Sequence, residues 1–146
     1  MIGFMVYGGN HMKRSETNGI DIYEYDKNTG KNFQPLIQFG DWRVAAASEN
    51  GSGGEPITAM SRHLETDEVF VLLKGSCTIF AGGNGDHSAD ITPVEMEPLR
   101  LYNIRRGTWH ARIIAPGSLV LVVENRVTGD FNSETEVLER PVGSGV

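Results

Sequence analysis

Short runs of strand-forming residues, cut at intervals of roughly eight to twelve positions by glycine-bearing breaks, constrain this chain more than any other feature of its sequence. The breaks at Asn28-Thr29-Gly30, Gly53-Gly54, Gly82-Gly83 and Pro116-Gly117 supply turn conformations that bulky residues avoid. Between the breaks lie Ile20 to Tyr25, Phe33 to Phe39, Trp42 to Ser48, Ile57 to His63, Glu68 to Lys74, Ser76 to Ala81, Leu99 to Ile104, Trp109 to Ile114 and Leu119 to Asn125. These segments are rich in β-branched and aromatic residues, and none holds a helical apolar period for three turns. The pattern predicts an all-β sandwich or barrel with little or no helix.

At 146 residues the chain reads as a single domain, 1–146. Residues 1–18 read as an N-terminal arm in which IGFMVY is able to add an edge strand, 20–125 as the barrel, and 126–146 as a polar, acidic tail. No apolar run is long enough to span a bilayer and the opening lacks a secretory signal pattern, so a cytoplasmic protein is expected. Cys77, the single cysteine, sits in the apolar run CTIFA and reads as a buried thiol. A net charge of −6 with scattered arginines excludes nucleic acid and anionic membrane as expected partners.

The stretch RHLETDEVFVL, from Arg62 to Leu72, sets a histidine and several acids against a strand. A hairpin with Leu64 to Asp67 as its loop would place His63 opposite Glu68 on one face, which Phe70 and Leu72 continue toward an apolar interior. A buried carboxylate needs a partner. Either a metal ion or a half-solvated ion pair meets that need. A second histidine, His110, follows the turn glycine Gly107 in NIRRGTWHARII and shares a face with Arg112 and Ile114.

His63-x4-Glu68-x6-Gly75 resembles the first motif of the cupin superfamily, G-x5-H-x-H-x3-4-E-x6-G, and Gly107-x2-His110 resembles the core of the second, G-x5-P-x-G-x2-H-x3-N. The resemblance spans Arg43 to Asn125. It implies a cupin jelly-roll barrel in which His63, Glu68 and His110 converge on one divalent metal ion. Ser61 stands at the position of the first motif histidine, and Glu55, Leu99, Arg105 and Ile114 replace the first motif's leading glycine and the second motif's glycine, proline and asparagine. Three of four ligands remain, a set that suits zinc or non-haem iron and also admits manganese or nickel. The competing arrangement leaves the site metal-free, with Arg112 neutralising Glu68.

Arg112 is a candidate for holding a substrate carboxylate, and Ser61, Tyr102 and Arg43 are further substrate-binding candidates whose faces depend on register. Trp109 points opposite His110, toward the space between sheets or toward a second subunit; His11 and His87 read as loop residues. The resulting expectation is a metal-binding cupin that acts on or binds a small polar or carboxylate-bearing molecule, as a lyase, isomerase or dioxygenase. RRGTWH further resembles a stretch of ureidoglycolate lyases. A non-catalytic small-ligand or sensor barrel and a metal-free structural barrel are the alternatives. Val69, Val71 and Leu73 form an apolar outward face that suggests a homodimer.

Overall fold

The computed structural model describes residues 14–26, 29–49 and 55–143. Among these, twelve strands follow one another: β1 (Arg14–Thr17), β2 (Ile20–Tyr23), β3 (Phe33–Phe39), β4 (Trp42–Ala47), β5 (Ile57–His63), β6 (Glu68–Lys74), β7 (Cys77–Ala81), β8 (Thr92–Glu95), β9 (Leu101–Ile104), β10 (His110–Ile114), β11 (Leu119–Asn125) and β12 (Ser133–Val142). A 3-10 turn covers Asp130–Asn132. Two five-stranded antiparallel sheets, ordered β12-β5-β10-β7-β8 and β3-β4-β11-β6-β9, carry the domain, and β1 and β2 form a separate hairpin. From β4 onward the chain repeatedly changes sheet, with β7 and β8 as the one consecutive pair that stays together. This is an all-β jelly roll. No helix among the described residues is long and apolar enough to cross a membrane.

The inward rows of the two sheets share one design. Along β6, Glu68, Phe70 and Leu72 are buried in alternation, and along β11 the matching series is Glu124, Val122 and Val120. On β10 the inward series is His110, Arg112 and Ile114, of which His110 and Ile114 are buried and Arg112 half-buried. Each row is charged or polar at one end and apolar at the other. The apolar ends of both sheets meet in a core that includes Ala45, Phe70, Ile79, Ile114 and Val122. The polar ends line a cavity at the opposite end of the barrel.

Two glycines hold the turns that aim these rows. Gly75 has φ of +77° and lies so close to Ser118 that an added Cβ would fall 2.0 Å from its Oγ; that hydroxyl accepts a hydrogen bond from the Ser76 amide. Gly107, with φ of +80°, donates its N–H to the His63 carbonyl at 2.8 Å and so ties the turn before His110 to the end of β5.

Several expectations from sequence are corrected. β5 and β6 do not form a hairpin: β5 pairs with β10 and β12, whereas β6 pairs with β11 and β9. The loop Leu64 to Asp67 carries the chain from one sheet to the other, so His63 and Glu68 meet across the barrel interior. Within the described part of 126–146 the expected tail is instead structured, because Ser133–Val142 is β12, paired with β5. Its residues SETEVLERPV carry charge on the outer face of an edge strand, which hides the apolar alternation a central strand would show. β8 was also hidden, since Pro93 is tolerated on an edge strand. Part of the N-terminal arm is the strand β1, joined to β2 by Asn18 and Gly19, both at positive φ as a two-residue hairpin turn requires. IGFMVY and His11 lie outside the described residues. Trp109 packs not between the sheets but on the outer face of one, with Met60 and Phe80, its Nε1 donating to the Gly85 carbonyl at 3.0 Å.

Candidate metal centre

Glu68 opens β6, His63 closes β5 and His110 opens β10, so all three project from strand ends into the polar end of the barrel. His110 Nε2 lies 2.9 Å and His63 Nε2 3.2 Å from the same oxygen, Glu68 Oε2. The two imidazole rings meet edge to face with centroids 5.4 Å apart. His110 and Glu68 are buried, with 6% and 3% exposure, and the donor atoms of the three residues lie within 4.8 Å of one another.

The outer nitrogens of the histidines are held by the protein. His110 Nδ1 donates to the Thr108 carbonyl at 2.9 Å, and a carbonyl can only accept. Its Nε2 therefore faces Glu68 either as a lone pair or as the second N–H of an imidazolium. A lone pair and a carboxylate oxygen at this distance repel, so a proton or a metal ion must stand between them. His63 Nδ1 lies 2.8 Å from Ser133 Oγ, a partner supplied by β12. Such outer contacts fix ring orientation at metal sites. Two imidazoles, one carboxylate and their oriented partners form a donor set that a borderline divalent ion fits.

The hydrogen bonds of the cluster set the ionisation of its members. Burial opposes ionisation of Glu68, but the hydrogen bonds from His110 and then His63 outweigh it and bring the carboxyl down to about 2. The hydrogen bond to Glu68 raises the pKa of His63 above its ordinary value, against the opposing effect of burial. Next to Glu68, and paired with it across β6 and β11, stands a second buried carboxylate, Glu124. Burial, followed by the charge of Glu68, raises its pKa. Arg43 offsets this with hydrogen bonds from Nε and Nη2 to Glu124 Oε1 at 3.1 and 2.7 Å.

The site opens into a cavity of about 420 Å³ that His63, Glu68, His110, Arg43, Ser61 and Arg112 all help to line. Register therefore places Arg43 inward, where Glu124 holds it. Ser61, directly across from His110 on β10, shares a 3.1 Å hydrogen bond with Thr135 of β12. Arg112 lies over the Phe70 ring at 5.1 Å. Its Nε is buried with no hydrogen-bond partner, a state that costs about 1–3 kcal/mol. Arg112 does not neutralise Glu68 through an ion pair; the histidines take that place. Tyr102 is not brought to the cavity. Its ring packs against the apolar core and its hydroxyl accepts the Glu97 amide at 2.8 Å. His87 is exposed and pairs with Glu136 at 2.7 Å.

Sequence reading missed Glu124, Ser133 and Thr135. The signal for Glu124 was present, since it alternates with Val120 and Val122 along β11 and parity turns it inward. For Ser133 and Thr135 no such signal existed, because β12 has no continuous apolar face.

No family model matches the chain, and no curated protein does. Solved structures do match. A cupin-2 domain protein from Shewanella frigidimarina shares 18% identity over 64% of this chain and 79% of its own, with a TM-score of 0.48. Pac13 of Streptomyces, described as a nucleoside dehydratase, is 9% identical and covers 93% of each chain with a TM-score of 0.55. A 3,4-ketoisomerase from Helicobacter canadensis is 14% identical over 84% of this chain and 85% of its own, with a TM-score of 0.52. The fold is the cupin fold. At these identities the likeness extends to the fold alone. Similarity to ureidoglycolate lyases is not shown by any of these structures. Within the cupin barrel, His63, Glu68 and His110 occupy the strand ends that face the cavity, and Ser61 stands beside them without a nitrogen to offer.

Proposed function

We propose that this cupin is a divalent-metal protein that acts on a small polar or carboxylate-bearing molecule inside its barrel, with His63, Glu68 and His110 as the metal ligands. One observation carries this reading: two imidazole nitrogens converge at 2.9 and 3.2 Å on a single buried carboxylate oxygen beside an open cavity. When bound, the ion supplies Lewis acidity toward an oxygen of the substrate. The chain itself does the rest. Thr108 and Ser133 hold the histidine rings in register, Glu68 offsets the positive charge, and Arg43 keeps Glu124 anchored at the cavity wall. Three protein ligands leave coordination positions for water or substrate. A barrel serving only as a scaffold would be expected to fill this space with side chains, and the cavity of about 420 Å³ counts against that role.

Elemental analysis after incubation with zinc, manganese, iron or nickel is expected to find about one divalent ion per chain for at least one of them. Retention of none would refute the proposal.

The same reading includes a homodimer. The outer face of the sheet β3-β4-β11-β6-β9 carries an apolar patch: Val71 pairs with Leu121 and Leu101, and Val69 and Val44 both pair with Val123. Leu101 is 75% exposed and Leu73 54%. Light scattering at tens of micromolar is expected to give twice the chain mass, and Leu101→Lys combined with Val71→Lys to give the monomer. A wild-type monomer with a stable fold would overturn this assignment.

A further inference from the structure

Of the two arginines in the wall of the metal cavity, Arg112 is the one that forms no ion pair among the described residues, although its charge helps to lower the Glu68 carboxyl. Arg43, the other arginine in the wall, is bound to Glu124 at 2.7 Å. Glu68 is engaged by two histidines, and Asp130 sits exposed where the cavity meets solvent. Among the described residues no carboxylate forms an ion pair with Arg112, and its Nε finds no acceptor at all. Yet the guanidinium is positioned, because Phe70 lies beneath it and β10 is paired with β7 at Arg112 and Ile79. A guanidinium carries five donors in a planar fork that matches a carboxylate.

Arg112 also stands between two spaces. A second cavity of about 240 Å³ shares Ile57, Ala59 and Arg112 with the first. It lies where β5 and β10 part company: they are paired at Ser61 and His110 but not further along, beside Arg112. Arg112 thus borders both the space that holds the three candidate ligands and a second space beside it, which Glu55 also lines.

We infer that the molecule bound in this barrel is a small hydroxy- or oxo-carboxylate, its carboxylate on the Arg112 guanidinium and its second oxygen function turned toward His63, Glu68 and His110. This deepens the proposed metal-dependent reading and rests on it for the second contact alone. A single negative charge matches the single unpaired guanidinium. A phosphate dianion fits less well, because the cavity wall also holds the carboxylates of Glu68 and Glu124.

The test is equilibrium binding to zinc-loaded protein by calorimetry. The probes are the hydroxycarboxylates from glycolate to 4-hydroxybutyrate, the uncharged amide of each, and inorganic phosphate. At least one chain length is expected to bind tenfold or more tightly than its amide and than phosphate. Arg112→Met should remove that preference while zinc content, measured separately, stays unchanged. Arg112→Lys, which keeps the charge and the fold but loses the fork, should retain only part of it. Equal binding of acid and amide at every length, a preference that survives both substitutions, or tighter binding of phosphate would overturn the inference. If wild type holds no zinc, the metal reading fails on that measurement; the same titrations on the zinc-free protein then decide the Arg112 site by the same criteria.

Discussion

Zinc is expected to reverse the pH dependence of this protein's stability. In the metal-free chain, Glu68 ionises at about 2 in the folded state against 4.5 for the free group, so its contribution is present above 4.5 and is lost as pH falls through the folded value. His63 has the opposite sign. Its pKa is raised from 6.5, so its contribution is complete below 6.5 and is lost as pH rises through the folded value. Glu124, raised by burial, acts in the same sense as His63. The melting temperature of the metal-free protein should therefore decline as pH rises from about 6 to 8. A metal ion needs both imidazoles deprotonated, so its stabilisation grows over that same interval. At a free concentration of about a hundred times Kd the gain is roughly 2.7 kcal/mol, on the order of 10 °C for a chain of this length. Two melting curves against pH, with zinc and with a chelator, should diverge upward. Parallel curves would show that protons, not a metal, hold the cluster together.

Replacing single members of the cluster should separate metal binding from folding. Glu68→Gln and His110→Ala are both expected to lose bound metal, and Ser133→Ala to weaken it by roughly ten- to a hundredfold, since it removes the partner of His63 Nδ1. Folding should survive in every case, because the apolar core around Phe70, Ile79, Ile114 and Val122 lies at the other end of the barrel. Stability adds a second signature. Without metal near pH 6, Glu68→Gln removes the hydrogen bond and the charge that raise the pKa of His63, so the stability tied to that proton is lost and the variant should melt below the wild type. At pH 8 the cost should be small. Were Arg112 rather than the histidines the partner of Glu68, the cost would be independent of pH, and His110→Ala would leave metal content untouched. Atomic absorption and thermal melts on the three variants at two pH values distinguish these outcomes.

Both sets of expectations depend on residues that differ in how openly the sequence displays them. His63, Glu68 and His110 were legible because strand parity is local: alternate residues share a face whatever the strand pairs with. The apolar rows beginning at Phe70, Val122 and Ile114 were legible for the same reason, and so was the jelly-roll class, through the cadence of its turns. Pairing is not local. A β5–β6 hairpin and a crossover between sheets both bring His63 to Glu68, and only the tertiary structure chose the crossover. Register likewise decided that Arg43 meets Glu124 and that Tyr102 ends against the Glu97 amide instead of in the cavity. The edge strand β12 shows the limit most clearly. Its hydroxyls at Ser133 and Thr135 complete the site, yet an edge strand buries too little apolar surface to mark its residues as structural, so long-range pairing with β5 alone reveals them.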